Sequence, residues 1–116
     1  MAEYQVNEKA VAAARRLIKD GRVDVRTEWS DAAPSTEQAN DLIERHGYAA
    51  YGDWHLGLTT DASGETKGRY AFPFGDFSRV NRAALIHAKQ RASQNDHDEI
   101  ADAADRLLRL VDESSS

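Results

Sequence analysis

The last third of the chain constrains its fold most. Ile100, Ala103, Ala104, Leu107, Leu108 and Val111 recur at three- and four-residue spacing, and most of the residues between them are charged. A helix of period 3.6 puts all six on one stripe, so this segment must bury a single face. Ahead of it, Val80, Ala84, Ala88 and Ala92 repeat every four residues, flanked by Leu85, and predict a helix over residues 78–93. An alanine ridge of this kind lets a neighbouring helix approach closely. Only a short polar connector, Ser93, Gln94 and Asn95, separates the two patterns. A link that short favours an antiparallel pair. Asp96 is expected as the N-cap of the last helix, with Glu99 three positions on and the acids lying over the positive helix end.

Two further helices are written upstream. Ala10, Val11, Ala14, Leu17 and Ile18 form an apolar stripe over residues 7–20, with Asn7 as the expected N-cap and Lys19 and Gly21 as stop signals. Pro34 and Ser35 open the next one. If Ser35 is its N-cap, Gln38 falls at the third helical position and completes a capping box. Gly47 ends that helix, and its narrow stripe of Ala39, Leu42 and Ile43 puts it on the surface of the core. Between these helices, Val23, Val25, Thr27 and Trp29 alternate with charged residues, as in a strand or an extended connection.

Residues 48–77 read as a non-helical centre that gathers most of the aromatics. Two short apolar runs, around Trp54 to Leu58 and around Arg69 to Phe72, flank a polar stretch with Gly64 and Gly68. That is the layout of a β-hairpin with an exposed tip, closed at Pro73, which cannot donate to a ladder. The expected fold class is therefore α+β, mostly helical: about four helices, a short aromatic β-hairpin and a C-terminal antiparallel helical hairpin. With 116 residues there is room for one core, taken as a single domain over residues 1–113 with a disordered tail at 114–116.

Several of these segments resemble a family of small, uncharacterised bacterial proteins. The likeness is carried by Trp54-His55-Leu56-Gly57 and Arg69-Tyr70-Ala71-Phe72-Pro73-Phe74-Gly75-Asp76-Phe77, with His46-Gly47-Tyr48 and Arg91-Ala92-Ser93-Gln94-Asn95 beside them. It covers residues 29–111 and leaves out the first helix. A weaker similarity links the Tyr-x-Phe-Pro-x-Gly-Asp run to modules in phage-associated proteins. The family pattern favours histidine ahead of Arg82, where this chain has Asn81. The resemblance implies a discrete folded unit and brings no catalytic residue, cofactor or substrate with it.

Composition excludes some chemistries. With no cysteine, disulfides and thiolate sites are out, and a reducing compartment fits. No run approaches the roughly 20 apolar residues of a membrane helix, and Glu3 stands where a signal peptide carries bases, so cytoplasm is expected and a membrane is not. The net charge of −5 disfavours sequence-independent nucleic-acid binding. The charge is uneven: residues 67–91 hold six bases and one acid, and residues 96–113 hold seven acids and two bases. The expectation is that the two helices neutralise each other across their interface.

Candidate chemistry is sparse. Asp53, His55 and His46 match no established ligand spacing, and Asp96-His97-Asp98 point in different directions at a helix start. There is no nucleophile elbow and no phosphate loop. Aromatics interleaved with bases give a binding candidate of Trp54, His55, Arg69, Tyr70, Arg79 and Arg82, since such a surface can stack a ligand and hold an anion. The alternation also puts Tyr70, Phe72 and Phe74 on one face, as a core would. The leading expectation is a small non-enzymatic protein-interaction or structural module, with an unidentified protein partner and no cofactor. Behind it stand a nucleic-acid-binding protein using the basic third helix, and a small metal-dependent hydrolase around His55 and Asp53.

Overall fold

The computed structural model describes residues 4–59 and 66–114. Its centre is the C-terminal helical pair, α5 (Arg82–Gln94) and α6 (Asp98–Ser114). Ion pairs join Arg82 to Asp112 at 2.9 Å and Lys89 to Asp105 at 2.8 Å, so the start of one helix meets the end of the other and the pair is antiparallel. All six stripe residues of α6 are buried, as are Ala84, Leu85, Ala88 and Ala92 of α5. α6 continues through Ser114, one residue into the stretch expected as tail; residues 115–116 lie outside the described residues.

The first helix, α1 (Glu8–Lys19), packs on α6 through Ala10, Ala14 and Ile18, with Val11 and Leu17 half-buried beside them. It ends as Gly21 suggests. The Gly21 N–H donates to Ile18 O at 3.1 Å, the Arg22 N–H donates to Leu17 O at 2.9 Å, and Gly21 itself sits at φ +80. This is a Schellman turn, whose left-handed position glycine fills without a Cβ clash. Asn7 does stand at the N-cap, but its side chain does not cap. It is buried and donates instead to the carbonyls of Gly52 at 2.9 Å and His55 at 3.2 Å, pinning the start of α1 to the sheet.

The stretch expected as one strand is mostly something else. β2 is only Val23–Asp24 and pairs in parallel with β5 (Val80–Asn81). The Asp24 carboxylate then accepts from the N–H groups of Arg26 and Thr27 at 3.0 Å each, turning the chain out of the strand. Trp29 begins a one-turn helix, α2 (Trp29–Ala32). The Ser35–Gln38 capping box forms in both directions and starts α3 (Thr36–His46), which ends at Gly47 at φ +87. In α3 only Ala39 is buried, in keeping with a helix on the surface of the core.

The centre of the chain holds two elements its sequence does not announce, a short helix α4 (Tyr48–Gly52) and a single 3-10 turn at Lys67–Arg69. The expected hairpin is present: β3 (His55–Leu58) pairs antiparallel with β4 (Tyr70–Pro73), with Gly57 opposite Ala71. Part of its tip, residues 60–65, lies outside the described residues. A third strand, β1 (Gln5–Val6), pairs on the far side of β3, giving the order β1-β3-β4. Four long helices thus match the expected layout and α2 and α4 are additions. α5 begins four residues later than the pattern suggests because Val80 and Asn81 are taken up by β5.

Candidate functional site

The residues singled out in the sequence separate into three places. Trp54, His55 and Tyr70 gather on the α4 side of the hairpin. The His55 ring lies 4.4 Å from the ring of Tyr51 and 6.1 Å from that of Tyr70, and Trp54 lies against Phe74 at 5.5 Å and Phe77 at 6.0 Å. Arg69 reaches over the Tyr70 ring at 6.0 Å. Arg79 is exposed in the turn before β5, its N–H donating to Asp76. Arg82 belongs to the helical pair, where it holds Asp112.

His55 is buried, and its Nδ1 lies 2.9 Å from the Tyr51 carbonyl. A carbonyl only accepts, so Nδ1 carries the proton there. Burial pushes the imidazole pKa down to about 4, against a partly opposing contribution from that carbonyl. This is a neutral histidine held inside a ring cluster. Asp53 faces Lys9 at 3.7 Å, and among the described residues no group of three His, Asp or Glu could hold a metal ion.

Asp96 does not cap α6. Its N–H donates to Ser93 O at 3.3 Å, the next N–H, that of His97, donates to Ala92 O at 2.7 Å, and Asp96 sits at φ +61. This is the same Schellman turn that ends α1, with an aspartate in the left-handed position. His97 then precedes the first turn of α6, its carbonyl accepting from Ile100 and Ala101. An acid one residue before a helix looks identical in sequence whether it caps that helix or terminates the previous one.

Asn81 is a buried cap. Its Oδ1 accepts from the Ala84 N–H at 2.8 Å while its Nδ2 donates to Thr27 O at 3.0 Å, tying α5 to the turn after β2.

The feature with the shape of a site was not legible in the sequence. A groove of about 1020 Å³ runs between β4 and α5. Its floor is small: Ala71 on β4, and Ala84 and Ala88 on α5. Tyr4, Trp29, Phe72 and Pro73 give the lining its larger apolar and aromatic groups. Its polar groups are His87 and Arg91, one turn apart on α5, and Asn95, Asp96 and His97 at the turn into α6. Tyr4, Phe72 and His97 form a mutual edge-to-face trio with ring centroids 5.8–6.1 Å apart.

Phe72 is therefore drawn away from Tyr70, and the single aromatic face expected for Tyr70, Phe72 and Phe74 does not form. Phe72 takes φ +63, its ring meeting Tyr4 and His97, while Tyr70 meets Tyr51 and His55 and Phe74 alone is fully buried. Gly57 permits this, since a Cβ there would lie 2.8 Å from the Phe72 ring. The groove draws on residues 4, 29, 72, 87, 91 and 97, of which only 87 and 91 share an element and a helical spacing. No protein-family model, curated protein or solved structure matches this chain.

Proposed function

We propose that this protein is a small non-enzymatic interaction module and that the groove between β4 and α5 is its working surface. The observation that carries the reading is the groove itself: a hollow with an alanine floor, an aromatic wall and a few polar groups at one end. Binding clefts combine these features, apolar lining for affinity and sparse polar groups for orientation. The bound partner is a protein segment. Two observations weigh against the nucleic-acid alternative, since Arg82 and Lys89 are engaged by acids of α6. For the hydrolase alternative, His55 is enclosed among rings and Asp53 faces a lysine.

The kinship to small bacterial proteins is part of the same proposal and rests on the motif residues alone. A cytoplasmic setting also belongs to it, supported by the absence of cysteine. No described helix is long and apolar enough to cross a membrane.

Amide chemical-shift mapping tests the groove. Titration with a pool of short extended peptides should perturb Phe72, Ala84, Ala88 and His97 together with the Trp29 indole. A pool that perturbs nothing at millimolar concentration, or perturbs only the outer face of α3, would remove the groove as the working surface.

A further inference from the structure

We infer that the groove takes an extended peptide carrying a carboxylate, and that Arg91 is the residue that recognises it; this rests on the groove being the working surface. Three long bases project from α5. Arg82 is held by Asp112 and Lys89 by Asp105, both from α6. Arg91 is exposed, lines the groove and forms no ion pair among the described residues. The one base that the acidic helix leaves unanswered is the one beside the hollow.

Its chemistry selects the occupant. A guanidinium is a planar fork that meets a carboxylate with two parallel hydrogen bonds, and it is weakly enough hydrated to do so beside apolar surface. His87, one turn earlier on the same face, and His97 at the end of the groove add N–H donors within the same region. Asp96 borders that end without pairing with Arg91, so it narrows the choice of where a ligand carboxylate can sit. The rest of the lining, Trp29, Phe72 and Pro73 over an alanine floor, suits aliphatic or prolyl side chains on either side of the acid. The volume of about 1020 Å³ lies at the upper end of small-ligand clefts, which favours several linked residues over one metabolite. A nucleic acid would require a track of cations along its backbone, and of the three bases on α5 only Arg91 is without an ion pair among the described residues, in a chain of net charge −5.

The test uses the full chain and fluorescein-labelled nonapeptides of proline, leucine and tyrosine whose central residue is glutamate, glutamine or lysine. Anisotropy should rank glutamate about tenfold above glutamine, with lysine weakest, and added salt should narrow the gap. Arg91→Gln should abolish the preference, and Arg91→Lys should restore only part of it. Equal binding of the glutamate and glutamine peptides, with the Trp29 indole still responding, overturns the carboxylate inference and leaves the groove reading standing. Failure of every peptide at millimolar concentration overturns both. Tighter binding of an oligothymidylate than of any peptide, falling steeply with salt, makes the occupant a nucleic acid and overturns the inference as well.

Discussion

Asp96 and Gly21 occupy the same position of the same turn, one ending α5 and the other α1. A left-handed backbone costs a residue with a Cβ roughly 1–2 kcal/mol, less for aspartate because its short polar side chain bonds locally. Asp96→Gly is therefore expected to stabilise the protein by up to about 1 kcal/mol, read as a rise in urea midpoint, and Asp96→Val to destabilise it. Loss of stability in the glycine variant would restore the capping role that the sequence suggests. His55 gives a second residue-scale prediction. Its folded pKa of about 4 lies below the usual 6.5, so between these values the unfolded chain binds the extra proton. Stability from this group is complete above pH 6.5 and is lost as pH falls towards 4, by at most about 3 kcal/mol. Asp24, Asp105 and Asp112 act in a lower window. Hydrogen bonds from Thr27, Lys89 and Arg82 respectively hold these carboxyls below their usual 3.8, so their contribution fades only as pH falls beneath that value. Urea melts at pH 7.5, 5.5, 4 and 2.5 separate the two windows, and His55→Gln should flatten only the upper one.

At the scale of elements, the helical pair depends on α6, and Leu107 is 2% exposed on its buried stripe. Leu107→Ala should cost about 2–5 kcal/mol. A cost under about half a kcal/mol in the same melt would mean that α6 packs on another face. Asn81→Ala removes a buried cap and a tie to Thr27, and is expected to cost about 1–3 kcal/mol, while Asn81→Asp keeps the cap acceptor and recovers part of the loss. The exposed pair of Arg82 with Asp112 contributes far less. What could be read in advance followed periodicity and end signals. The α6 stripe, the Ser35–Gln38 box, Gly21 and the paired arms of the hairpin each carry a local chemical signature. β1, β2 and β5 are two residues long, too short for any alternation to show, and they exist because partners distant in sequence supply the other half of the ladder. α4 was missed because Tyr48 to Gly52 holds one turn of helix between glycines, where aromatic content suggests a strand. Asn7 stands at the expected N-cap, yet tertiary partners took its side chain, while Asp96 went to the local turn that ends α5 rather than to the start of α6.

For the whole molecule, the uneven charge is resolved in part within it: acids of α6 engage two of the three bases of α5, and Arg91 is left beside the groove. Duplex DNA should bind no tighter than ~10⁻⁴ M at physiological salt, and a micromolar, salt-sensitive titration would contradict this distribution of charge. The groove could not be anticipated from local pattern because its lining comes from Tyr4 ahead of β1, α2, β4, α5 and the turn before α6. The two tryptophans of the chain distinguish the groove from the other ring cluster, since Trp29 lines the groove and Trp54 is packed against Phe74 and Phe77. The decisive measurement is the fluorescence of two single-tryptophan variants, Trp54→Phe and Trp29→Phe, titrated with the glutamate nonapeptide. Saturable change of Trp29 emission in the Trp54→Phe protein, with the emission of Trp54 in the Trp29→Phe protein unmoved, is the predicted result. A silent Trp29 with a responding Trp54 would place binding on the His55 and Tyr70 side and contradict the account.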